Sequence, residues 1–180
     1  MSLDILTPNG QVSLKDEQIV ADWVNGFDGR QYIQTPKKLP AKVDAILVKH
    51  NSIVGVVETK CRYNLSLLKF QTEFKNEWLV TWEKVKGGLE LAEGLCVPLF
   101  GFLYLVDDDT LLIREISEKI LRTQVTATQR TINGGVAIRE NAFIEMNDAK
   151  IFRGMKPRHP VTGAGVSVVT ALIGCNLQPI

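Results

Sequence analysis

Histidine and cysteine are scarce in this chain, and that scarcity removes several chemistries at once. Only His50 and His159 occur among its 180 residues, far apart. This argues against a histidine-rich zinc site and against a serine–histidine–aspartate hydrolase. Cys61, Cys96 and Cys175 are odd in number and lack metal-ligand spacing, and the first two lie in apolar segments. They are expected as reduced thiols in a cytoplasmic setting. An excess of one charge is lacking too, since 21 Lys and Arg face 20 Asp and Glu, for a formal net charge of +1. Nothing in that total resembles a histone-like chain, so any contact with nucleic acid must be a local patch.

Long hydrophobic runs are also missing. The longest, residues 95–106, falls short of the roughly 18 residues a membrane span needs, and it reads as a buried strand. Met1 to Pro8 carries no basic patch ahead of an apolar run, so it does not read as a signal peptide, and no membrane partner is expected. What is present is an ordinary globular composition, 45% hydrophobic and 23% charged. It predicts one domain over residues 1–180, with a core at about 13–116 and a C-terminal extension over 117–180.

Along the chain, Ser13 is expected to cap a helix carrying Leu14, Ile19, Val20 and Trp23, with Asp16 and Glu17 in its first turn and a stop near Asn25-Gly26. A short strand follows at Gln31 to Gln34, then the loop Thr35 to Pro40 with its two prolines and two lysines. Val43 to Lys49 and Ile53 to Cys61 read as an antiparallel hairpin, apolar on both faces and hence inside a covered sheet. Leu65 to Glu93 reads as a long helix or helix pair with a break at Gly87-Gly88. Strands are expected around Phe100 to Val106 and Leu111 to Ile116, joined by the acidic turn Asp107 to Asp109, with a short helix after Ser117 and a turn at Asn133-Gly134-Gly135. The apolar tail from Val161 to Ile180 either closes the core or forms a dimer interface.

Chemistry concentrates in the hairpin. Glu58 and Lys60 lie two apart on one strand and therefore share a face. A three-residue turn, His50 to Ser52, pairs Lys49 with Ile53 and sets Asp44 opposite Glu58; a two-residue turn would need a bulge to keep that pairing. Two facing carboxylates in an apolar sheet repel each other, which should raise the pKa of at least one and calls for a cation. Mg²⁺ takes oxygen ligands and retains waters, one of which could attack a phosphodiester while Lys60 orients it or offsets the charge developing on phosphate.

The segments Val43-Asp44-Ala45-Ile46-Leu47 and Val56-Val57-Glu58-Thr59-Lys60-Cys61-Arg62 resemble the PD-(D/E)XK nuclease superfamily, the fold of restriction endonucleases and Holliday-junction resolvases. The resemblance covers about residues 13 to 106. It implies an α/β, restriction endonuclease-like core, a central mixed β-sheet flanked by helices in the order αβββαβ, here with a C-terminal α/β extension. By the same resemblance Asp44 and Glu58 are metal ligands, the Thr59 carbonyl a further ligand, and Lys60 the catalytic lysine. Glu17 matches an accessory acidic residue on the first helix. Gln71 resembles the glutamine of the RecB-like branch, although Lys75 stands where an aromatic usually follows. The implied activity is hydrolysis of phosphodiester bonds in DNA with Mg²⁺, for which Mn²⁺ would substitute, and duplex-cutting members of such folds often work as homo-oligomers.

Plainer readings exist for each residue. Glu58 and Lys60 can form a surface ion pair worth at most about 1 kcal/mol. Glu17 can be a first-turn charge, Gln71 a solvated helix residue, and Asp107 to Asp109 a polar turn. Lys37, Lys38, Arg62, Lys84 and Lys86 are surface charges by default; near a real site, Lys37, Lys38 and Arg62 become phosphate contacts. The rival from another class is a catalytically silent nucleic-acid-binding or assembly module on the same fold.

Overall fold

The computed structural model describes residues 8–37, 41–130 and 136–156. Lys38, the turn at residues 133–135 and the tail from Val161 lie outside them. The chain has a mixed α/β fold in which a six-stranded sheet is covered on both faces, as expected from sequence.

Helix α1 (Pro8–Asn25) begins five residues before the expected cap, leaving Ser13 inside the helix. Proline at a helix start forgoes only an N–H that has no intrahelical partner. Gly26 closes the helix with its N–H on the Asp22 carbonyl at 3.0 Å. Strands β1 (Arg30–Gln34), β2 (Ala45–Lys49) and β3 (Ser52–Arg62) follow as an antiparallel meander. Then β5 (Leu99–Leu105) pairs parallel to β3, and β6 (Thr110–Ile116) and β9 (Lys150–Arg153) complete the order β1-β2-β3-β5-β6-β9. A parallel neighbour requires a crossover, and the intervening segment supplies it.

That segment departs from expectation. Instead of a helix or helix pair over residues 65–93, the chain forms α2 (Leu67–Thr72), β4 (Glu77–Thr81) and α3 (Trp82–Gly94). Ser66 caps α2 through the Lys69 N–H at 3.1 Å, and Lys75 and Asn76, both at positive φ, turn the chain into β4. In β4 Trp78 and Val80 alternate inward, a period of two that the surrounding charges hide in the sequence. The strand is fixed by a partner far away, β8 (Val136–Glu145), which with β7 (Leu121–Arg130) makes a second sheet, β4-β8-β7. Non-local pairing overrides local propensity here. Gly87-Gly88 is no break. A Cβ on Gly88 would stand 3.0 Å from Leu99, so glycine lets α3 lie close on the sheet.

The two faces have separate cores. Val20, Ala21 and Val24 of α1 pack on Tyr32, Ala45, Val57, Phe102 and Tyr104. On the other face α2, α3 and the smaller sheet cover Val56, Leu99, Leu103 and Leu112. The acidic turn is a turn, its carboxylates accepting from the N–H groups of Asn64, Leu67, Met155 and Lys156. A 3-10 turn, Glu118–Ile120, stands where a short helix was expected.

Candidate active site

The hairpin turn has two residues, His50 and Asn51, both at positive φ, and pairs Lys49 with Ser52. Continued regularly, that register would set Asp44 and Glu58 on opposite faces. It shifts by one residue between Leu47 and Val48, so that Leu47 faces Gly55 and Ala45 faces Val57. The bulge restores the parity, and Asp44 falls opposite Glu58. Asp44 lies one residue before β2, its N–H on the Val57 carbonyl at 2.8 Å. Beyond Val57 the ladder ends while β3 continues to Arg62. The next N–H on that edge, from Thr59, donates to Asp44 Oδ2 at 2.9 Å, so a carboxylate takes the place of a strand. Alternation along β3 sets the Thr59 carbonyl on the same edge.

Glu58 is only 7% exposed, and its Oε2 has no hydrogen-bond partner among the described residues. Burial, and then the charge of Asp44, push its pKa up to about 8 against the weaker pull of Lys84 and Lys60. Asp44 goes the other way. Burial works to raise its pKa, but Lys37, Lys84 and the Thr59 N–H outweigh it and hold the group below the ordinary carboxylate range.

Two lysines converge on the pair. Lys37 Nζ bridges Glu17 at 2.7 Å and Asp44 Oδ1 at 3.1 Å. Lys84, from the first turn of α3, lies 3.7 Å from Asp44 and 3.8 Å from Glu58. Burial raises the pKa of Glu17 despite Lys37, and the Lys37 ammonium, itself opposed by burial, is raised by Asp44 and Glu17. Lys60 is exposed, yet close enough for its charge to act on both Glu17 and Glu58. Tyr32 hydrogen-bonds Thr59 through the two hydroxyls, 2.6 Å apart, steadying β3 from the α1 side.

Asp44, Glu58, Thr59, Lys60, Glu17 and Lys37 are thus brought together. Gln71 is not: it is exposed on α2, whereas the helices packed on β3 are α1 and α3. Lys37, expected to face phosphate, is engaged with carboxylates instead. Arg62 is half-buried, its guanidinium on the Leu79 carbonyl at 3.2 Å, which ties β3 to β4 rather than presenting a phosphate contact. Lys84, read from the sequence as a surface charge, joins the site because α3 starts at Trp82, which the charged helical pattern did not reveal.

Among the described residues no three His, Cys, Asp or Glu side chains form a metal cage. Two carboxylates and a backbone carbonyl still suit an ion that keeps much of its water, as Mg²⁺ does. The Glu58 oxygen, with no hydrogen bond among the described residues and only the Lys84 ammonium at 3.8 Å, fits a cation beside an ionised Asp44.

No protein-family model matches the sequence, and no curated protein matches it. Among solved structures the chain is similar to Hjc, a Holliday junction resolvase from the archaeal hyperthermophile Archaeoglobus fulgidus. The two are 14% identical over 76% of this chain and 93% of that one, with a TM-score of 0.43.

Proposed function

We propose that this chain is a divalent-metal-dependent nuclease hydrolysing phosphodiester bonds in DNA. The observation that carries the reading is the buried Glu58 oxygen with no hydrogen-bond partner among the described residues, set by a bulge against an ionised Asp44 at the open edge of β3. Burying an acceptor unsatisfied costs about 1–3 kcal/mol, so such a pair is expected where a ligand supplies the missing charge. Asp44, Glu58 and the Thr59 carbonyl would hold Mg²⁺ or Mn²⁺, which when bound would polarise a phosphodiester and acidify a water.

The chain's own residues do the rest. Tyr32 and the Thr59 N–H fix the ligands, so little reorganisation is required when substrate arrives. Lys60, on the Glu58 face of β3 and open to solvent, offsets charge developing on the phosphate. Lys84, 41% exposed, supplies a second cation to the same face. The test is cleavage of supercoiled, linear and branched DNA with Mg²⁺, Mn²⁺ or EDTA. Lys60→Ala should retain Mn²⁺ binding while cleavage falls by about 10²-fold or more, the scale for one preorganised charge at a reacting phosphate. Near-normal turnover in that variant removes Lys60 from the mechanism, and metal-independent DNA binding without cleavage favours the silent module.

A further inference from the structure

We propose that Lys37 is the resident counter-cation of this site, which a divalent ion must displace from Asp44 in order to bind. The inference rests on the metal-dependent reading above and concerns how the site is loaded. The two oxygens of Asp44 are unequal. Oδ2 accepts the Thr59 N–H at 2.9 Å and belongs to the edge of β3. Oδ1 faces the lysines, Lys37 at 3.1 Å and Lys84 at 3.7 Å. An ion shared between Asp44 and Glu58 therefore meets an ammonium already on the oxygen that is free to ligate. A divalent ion added to an oxygen that already faces two ammonium groups is repelled by both in a partly dry site, so the nearer, hydrogen-bonded one must leave.

Lys37 is the built-in one. It holds a second carboxylate, Glu17, at 2.7 Å and is 19% exposed, against 41% for Lys84. Its loop is anchored beside the site, with the Thr35 N–H on the Asp44 carbonyl at 2.9 Å and the Thr35 hydroxyl on the Val43 carbonyl at 2.7 Å. Displaced from Asp44, Lys37 keeps Glu17 and this anchor. Its ammonium stays beside the pair and becomes free for a phosphate of the substrate. Loading thus exchanges ammonium for metal, and the role expected of Lys37 as a phosphate contact is acquired only in the loaded state.

The test uses the full chain without DNA. Mn²⁺ binding is measured by calorimetry, and melting is followed with Mn²⁺ or EDTA, for wild type, Lys37→Met and Lys84→Met. Lys37→Met should bind Mn²⁺ about fivefold or more tightly, the lower end of ordinary coupling between ligands. In EDTA it should melt below wild type, because Glu17 and Asp44 lose their cation, and Mn²⁺ should make up the loss; Lys84→Met should shift less. Wild type that binds Mn²⁺ with Lys37→Met binding it equally or more weakly overturns the exchange and leaves the metal reading standing. No binding by either protein at millimolar Mn²⁺ overturns both. Should Lys37→Met not fold, acylation of lysines in wild type decides. Saturating Mn²⁺ should speed modification of Lys37 and leave Lys42, paired with Glu90 on the surface, unchanged. Unaltered Lys37 reactivity in the Mn²⁺-bound protein overturns the proposal.

Discussion

Glu58 makes the site sensitive to pH through folding itself. Its pKa lies near 8 in the folded chain, against an ordinary value of 4.5. Between those values the folded state binds a proton that the unfolded state does not. The stability this group contributes is therefore fully present below about pH 4.5 and is lost as pH rises through about 8, by up to about 1.4 kcal/mol per pH unit. Glu58→Gln removes that titration. In EDTA it should gain on wild type as pH rises from 5 to 8; parallel melting curves for the two proteins would show that Glu58 is not the perturbed group. Neutralising Asp44 has no such benefit, since it strands Lys37 and Lys84. At this scale the sequence was informative about identities and silent about division of labour. Glu58 and Lys60 share a face by strand parity, whereas Asp44, set opposite Glu58 in the sequence by an expected three-residue turn, reaches that place through a two-residue turn and a bulge. Which carboxylate stays ionised depends on Lys37 and Lys84, whose directions come from a loop and a helix start that parity does not reach.

Among the elements, β3 matters most for its irregularity. The bulge beside Val54 converts a two-residue turn, which alone would separate the carboxylates, into a register that opposes them. Deleting Val54 removes the one unpaired residue, so the hairpin should become regular with Leu47 still on Gly55 and Asp44 still opposite Glu58. The variant should therefore keep its stabilisation by Mn²⁺ in melting experiments; loss of that stabilisation would show that the pair needs more from this hairpin than an opposed register. β-branched residues marked β2 and β3 from the sequence, and apolar runs marked β5 and β6, whereas β4 was invisible. Glu77 to Thr81 sits amid charges at helical spacing, and its partner β8 is some 65 residues away. Arg62 was expected at a phosphate, and its hydrogen bond from β3 to the Leu79 carbonyl was hidden for the same reason.

Considered whole, the molecule is nearly neutral, and no helix among the described residues is long and apolar enough to cross a membrane. Among the described residues, the basic groups that act on the candidate carboxylates are Lys37, Lys60 and Lys84. Binding to duplex DNA should therefore depend weakly on salt, with log K against log salt falling at about 0.9 per phosphate neutralised and so a slope near −2 to −3. A slope of about −6 or steeper in filter-binding titrations would place the interface elsewhere, on a larger basic surface. The overall architecture was legible because covered sheets write their strands as apolar runs. The smaller sheet was not, because its strand β4 lies within a charged, helix-like segment and finds its partner β8 far along the chain.

The handover at the end of β2 has a consequence for spectroscopy. Where the ladder stops, the Thr59 amide proton leaves main-chain pairing and rests on Asp44. Its chemical shift and exchange rate follow the charge on that carboxylate and whatever shares it. A single backbone resonance, needing neither substrate nor label on a side chain, thus serves as a resident gauge of the state of the site.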